Sequence, residues 1–94
     1  TEGSLKIHAG AQDALLKLGK SLLPSGIVDV EGNFGRGAVV SIQYEGHELA
    51  RGFSNYSSEE ISLIKGHHSR DISAILGEDQ EPEVVHRDYL SLRP

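Results

Sequence analysis

Residues 38–53 constrain the fold more than any other stretch of the chain. Ala38, Val40, Ile42 and Tyr44 alternate with Val39, Ser41 and Gln43, the period-two pattern of a strand whose two faces meet different surroundings. Glu45-Gly46-His47 then offers a tight reversal into a second run, Glu48 to Phe53. The spacing predicts a β-hairpin.

Short, glycine-punctuated elements surround that hairpin. Leu5 to His8 and Ile27 to Glu31 alternate and read as strands. Between them Ala11, Ala14, Leu15 and Leu18 fall at i, i+3, i+4 and i+7, the stripe of a short amphipathic helix. Gly19 suits its end, with Lys17 and Lys20 near the negative pole of the dipole. Ser21 to Gly26 reads as a loop, and Asn33 to Gly37 as a glycine-rich turn. Ser57 followed by Glu60 is a capping box opening a helix that packs Ile61 and Ile64 and stops at Gly66. Ser69 is expected to cap a further helix that packs Ile72, Ile75 and Leu76 and stops at Gly77. The acidic stretch Glu78 to Glu83 leads to an expected last strand over Val84 to Arg87, extending toward Leu92. The expected core is Leu15, Leu18, Val40, Ile42, Ile61, Ile64, Ile72 and Leu76. The order β-α-β-β-β-α-α-β predicts a mixed α/β, mainly β domain, a small mixed sheet or open barrel covered by helices.

At 94 residues the chain reads as one domain, 1–94, with a folded surface of about 5,300 Å² by size scaling. Cysteine is absent, which excludes disulfides, thiolate zinc sites and cysteine catalysis. Methionine is absent too, position 1 included, and we expect a piece of a longer protein. No apolar run approaches the roughly 20 residues of a membrane span, so no membrane partner is expected. The net charge of −5 is uneven: residues 57–88 hold eight acids and three bases, and the remainder holds six of each. A polyanion would be repelled by the later segment and dock only on the first half.

Several short matches to catalytic motifs fail in context. His86-Arg87-Asp88 copies a kinase catalytic-loop triplet, but Arg93 stands where its asparagine belongs, and no nucleotide loop accompanies it. Gly19-Lys20-Ser21 copies the end of a phosphate loop, but Ala14 replaces the first glycine and the element order is reversed. His67 and His68 with Asp71 would supply two ligands of a metal site; a polar loop between helices accounts for them more simply. Asn55-Tyr56-Ser57 fits a glycosylation acceptor with nothing to indicate secretion. No Ser-His-acid triad can be assigned from spacing. The stretch from His8 to Val28 remains. Its small residues, Lys17, Lys20 and the Leu22-Leu23-Pro24 run suit a docking ridge for RNA or for another protein domain, or a tight connection whose leucines close the core.

The runs HAGAQDALLKLGKSLLPSGIVDVEGNFGRG, ELARGFSNYSSEEISLIKG, SRDISAILG and PEVVHRDYL closely resemble the C-terminal PUA domain of bacterial glutamate 5-kinases, from about Leu5 to Leu90. His8 departs from the pattern, which usually has aspartate before Ala-Gly-Ala. The resemblance implies a PUA-like pseudo-barrel of short strands flanked by short helices. It implies a parent enzyme of the cytoplasm that uses ATP and Mg²⁺ to phosphorylate the glutamate side-chain carboxylate, the first step of proline synthesis. The catalytic residues of that enzyme belong to an amino-acid-kinase domain absent here, so no catalytic residue and no cofactor is expected in this fragment. In RNA-modifying relatives the surface matching Gly10, Ala11, Lys20, Ser21, Leu22, Leu23, Pro24 and Gly26 faces RNA. Two functions compete: an accessory and regulatory domain contacting its own kinase domain and neighbouring subunits, and an RNA-binding module. The charge balance favours the first.

Overall fold

The computed structural model describes residues 1–77 and 80–93. Among these residues five strands, β1 (Gly3–Ile7), β2 (Ile27–Gly32), β3 (Val39–Tyr44), β4 (His47–Phe53) and β5 (Leu90–Leu92), form one sheet in the order β2-β1-β3-β4-β5. β1 runs parallel to β3, and the other pairs are antiparallel. β2 and β5 are the two edges. Three helices, α1 (Ala9–Leu16), α2 (Ser58–Ile64) and α3 (Ile72–Leu76), cover the sheet, with 3₁₀ turns at Pro24–Gly26, Ser69–Asp71 and Arg87–Tyr89. The result is the expected mixed α/β, mainly β architecture. The accessible surface is 5320 Å², matching the size scaling.

Register explains the core. Leu5 lies opposite Val30 on β2 and Ile42 on β3, and Ile42 lies opposite Ala50 on β4. Because side chains alternate along a strand, this row puts four apolar residues on one face. Leu5, Ile42 and Ala50 are wholly buried. The expected hairpin turns on Glu45 and Gly46, both at positive φ (49° and 81°). That is the type I′ geometry whose twist matches two antiparallel strands; His47 already pairs with Tyr44. Leu15, Leu22, Ile61, Ile64, Ile72, Val84 and Val85 close the core from the covering layer.

The expected capping box is present: Ser57 Oγ accepts the Glu60 N–H at 3.1 Å, and Glu60 Oε1 accepts the Ser57 N–H at 2.9 Å. Gly66 and Gly77 end their helices at φ 79° and 86°.

Four expectations need correction. Leu18 is 65% exposed rather than core. Helix α1 ends at Leu16, Gly19 adopts φ 61°, and the Lys20 N–H closes onto the Ala14 carbonyl at 3.0 Å. The 3.6-residue periodicity that would have buried Leu18 therefore stops before reaching it. His8 is not the last residue of β1 but the N-cap of α1. His68, not Ser69, caps the turn before α3: its Nδ1 accepts the Arg70 N–H at 3.1 Å. Val84 to Arg87 is not a strand of the sheet. Val85 makes one isolated antiparallel bridge with Leu22, and the last strand is Leu90–Leu92. The reason is that Val84–Tyr89 crosses over β4 instead of lying beside it. A Cβ on Gly52 would fall 2.6 Å from Val85 Cγ1 and 2.8 Å from the Tyr89 carbonyl oxygen, so glycine at 52 permits the crossing. Of the acidic link, Glu78 and Asp79 lie outside the described residues.

Candidate functional site

A groove of about 560 Å³ lies between α1, the 20–26 connection and the 83–87 segment. Its first wall is set by His8. The imidazole caps α1, with Nδ1 accepting the Ala11 N–H at 3.2 Å, while Nε2 donates to the Ser25 carbonyl at 3.2 Å. One neutral tautomer satisfies both bonds. His8 therefore ties the start of the helix to the loop after it, doing the N-cap work normally given to Asp, Asn or Ser. Gly26 brings the two closer still: a Cβ there would stand 2.7 Å from Ala11 Cβ.

The opposite wall comes from the far end of the chain. Leu22 donates its N–H to the Val85 carbonyl at 2.9 Å and accepts the Val84 N–H at 2.8 Å. Ser21 Oγ accepts the Arg87 N–H at 2.8 Å. His86 caps the 87–89 turn, its Nδ1 accepting the Asp88 N–H at 3.1 Å. The loop is also anchored from below, because the Gly66 N–H at the end of α2 donates to the Pro24 carbonyl at 2.8 Å.

Of the residues singled out from sequence, Gly10, Ala11, Lys20, Ser21, Leu22, Leu23 and Gly26 line this groove. Lys17 does not line it; it pairs with Asp13 at 3.4 Å on the outer side of α1. Pro24 is buried under the loop and is not among the lining residues. Leu22 and Leu23 part company, Leu22 being 1% exposed and Leu23 40%, so adjacent leucines divide between core and surface. Sequence reasoning missed His8, Ala14, Ser25, Glu83, His86 and Arg87 as groove residues; it read His8 as the end of a strand and as a departure from the family pattern. The 83–87 segment is more than 60 residues from Ser21, and no spacing signal spans that distance.

Among the described residues no group of three or more His, Cys, Asp or Glu side chains is placed to hold a metal ion. His68 is committed to capping. No helix of the described residues is long and apolar enough to cross a membrane.

Comparison with known proteins places this geometry. A family model described as the PUA domain matches residues 3–76. The glutamate 5-kinase of Dictyoglomus turgidum is 55% identical over 92 residues, which is 97% of this chain and 25% of that protein. The glutamate 5-kinase of Citrifermentans bemidjiense is 52% identical over 91 residues, 96% of this chain and 24% of that protein. The chain thus spans about a quarter of the length of these relatives. Among solved structures, a PUA domain from Aeropyrum pernix K1 in complex with tartrate has a TM-score of 0.65 at 25% identity, covering 90% of this chain and 41% of that one. A chain of an archaeal box H/ACA sRNP complex has a TM-score of 0.61 at 22% identity over 93% of this chain and 26% of that one, a likeness of fold. On the match over residues 3–76 and on the shared sheet-and-helix arrangement, this chain belongs to the PUA domain family.

Proposed function

We propose that this chain is the PUA domain of a glutamate 5-kinase, and that it serves there as a non-catalytic accessory and regulatory domain. The observation that carries the reading is the 55% identity with a glutamate 5-kinase across 97% of this chain and only 25% of that protein. The parent enzyme transfers a phosphoryl group from ATP, with Mg²⁺, to the glutamate side-chain carboxylate in proline synthesis in the cytoplasm. ATP and Mg²⁺ are held by the amino-acid-kinase part of that enzyme, and this domain contributes contacts to that part and to neighbouring subunits. The groove beside α1 is the docking surface. Leu23 stands half-exposed at its edge and Lys20 on its rim, a mixture of apolar and charged groups suited to a protein surface.

Assay of the purified 94 residues and of the full-length enzyme for ATP-dependent γ-glutamyl phosphate tests this. The full-length enzyme is expected to be active and the 94 residues silent. Turnover by the 94 residues alone overturns the reading.

The likeness of fold to a chain of an sRNP complex and the basic Lys20 and Arg87 at the groove favour a second reading, an RNA-binding module. Two or three phosphate contacts give a log–log salt slope of only about −2 to −3 and affinities no better than roughly 10⁻⁴ to 10⁻⁶ M. Nanomolar, sequence-selective RNA binding that is lost in Lys20→Glu reverses the ranking.

A further inference from the structure

The chain's bases are unevenly committed. Lys6 pairs with Glu31, Lys17 with Asp13, Arg36 with Glu60, and Arg51 and Arg93 with Glu48. Among the described residues Lys20, Lys65, Arg70 and Arg87 have no acidic partner. Two of these four, Lys20 and Arg87, line the same groove, although 67 positions separate them in the chain. His86 adds a third donor. Its Nδ1 is occupied as a cap acceptor, so the neutral ring carries its proton on Nε2, and Nε2 has no protein partner among the described residues. Two cations without an acidic partner at one groove, in a chain of net charge −5 with 14 acids to choose from, favour an anionic group there, even with the Asp88 carboxylate 3.5 Å from His86 Nδ1.

The rest of the lining narrows the anion. Glu83 lies at the same groove and repels a second negative charge, which disfavours a run of phosphates. Ala14 and Leu23 supply apolar surface beside the cations. The matching ligand carries one carboxylate flanked by apolar side chains. About three quarters of the length of the relatives lies outside this chain, and it is the nearest source of such a segment.

We infer that the groove grips a carboxylate-bearing, apolar-flanked segment of the catalytic part of the same protein, with Lys20 and Arg87 pairing with the carboxylate. This rests on the docking reading above and adds the chemistry of the partner. Leu23 and Ala14 receive the flanking apolar side chains, and His86 Nε2–H donates to the carboxylate.

Amide hydrogen exchange on the full-length enzyme and on the 94-residue chain tests both levels. Residues 20–26 and 84–87 are expected to exchange about fivefold or more slowly in the full-length enzyme, the protection of a contact worth one well-formed ion pair. The double variant Lys20→Gln, Arg87→Gln is expected to lose that extra protection, while Lys65→Gln, Arg70→Gln, which removes the other two unpaired bases, keeps it. Exchange across residues 39–53 in the isolated double variant reports that the fold is intact. Extra protection that survives in the double variant overturns the carboxylate grip and leaves docking standing. Equal exchange in full-length enzyme and isolated chain overturns both. A twelve-nucleotide single-stranded RNA that protects residues 20–26 at physiological salt, and fails to do so in the double variant, assigns these cations to nucleic acid and overturns the inference.

Discussion

Arg36 and Glu60, 24 positions apart, are joined so that one carboxylate serves two elements. Arg36 Nε donates to Glu60 Oε1 at 2.8 Å, and the same oxygen accepts the Ser57 N–H that opens α2 at 2.9 Å. The Arg36 guanidinium also stands over the buried Tyr56 ring, 5.4 Å from its centroid. The glycine-rich turn after β2 is thereby fastened to the start of α2, while Ser58 Oγ accepts the Phe34 N–H at 3.1 Å from the same turn.

This pairing sets an acid limb of stability. The Arg36 hydrogen bond above all, with the Ser57 amide, holds the Glu60 carboxyl down to about 2 against the opposing pull of burial. A carboxyl lowered on folding contributes stability that is complete above its unfolded value of about 4.3 and is lost as pH falls through the folded value. Urea midpoints are expected to fall between about pH 4.3 and pH 2. Glu60→Gln should flatten this limb and cost about 1 kcal/mol at neutral pH, because glutamine still accepts the Ser57 N–H but loses the charge that pairs with Arg36. Parallel pH profiles for wild type and variant would remove Glu60 as the cause.

His8 acts as the cap of α1, its Nδ1 accepting the Ala11 N–H. His8→Ala should cost about 0.5–2 kcal/mol. His8→Asp should recover most of that loss, because a carboxylate oxygen also accepts the Ala11 N–H and is favoured at a helix N-terminus. Thermal melting of the two variants checks the order; equal losses would contradict it.

Gly26→Ala should destabilise by about 1–3 kcal/mol, since the new methyl meets Ala11 Cβ at 2.7 Å and must push the loop away from α1. Ala11→Gly removes the opposing methyl. The double variant is therefore expected to be more stable than the sum of the two single losses allows. Additive losses in denaturant unfolding would mean that the two residues do not press on each other.

Leu15→Ala and Ile42→Ala should each cost about 2–5 kcal/mol, as both side chains are buried, at 2% and 0% exposure. Leu18→Ala should change stability by less than about 0.5 kcal/mol. A large loss at Leu18 would mean that the helix continues past Leu16.

The features legible in the sequence are those whose partners lie within a few residues. The Ser57–Glu60 box, the Glu45-Gly46 turn and the glycine stops at 66 and 77 each follow from local backbone geometry, and each is found where the residues place it. The alternation of Val40 and Ile42 likewise marks one face of a strand before any neighbour is known. Half of the candidate site was legible in the same way, as one continuous ridge from Gly10 to Gly26; the 83–87 wall was not, because no local pattern in PEVVHRDYL sets it against Ser21, more than 60 positions away.

Tertiary structure decided the rest, and the reason is sequence separation. Which strand Leu5 meets, and in which direction, depends on β1 pairing in parallel with β3 some 37 positions away. Periodicity alone carries no such register. The bond from the Arg87 N–H to Ser21 Oγ spans 66 positions and brings Arg87 to the groove that Lys20 also lines. Nothing in the spacing of either residue announces the other. Adjacent Leu22 and Leu23 are equivalent in composition, yet only Leu22 is held inward by its bridge to Val85. The sequence determined the local turns, caps and strand faces. Only the folding of the 84–87 segment back onto the 20–23 connection turned that ridge into a groove with two walls and a charge of its own.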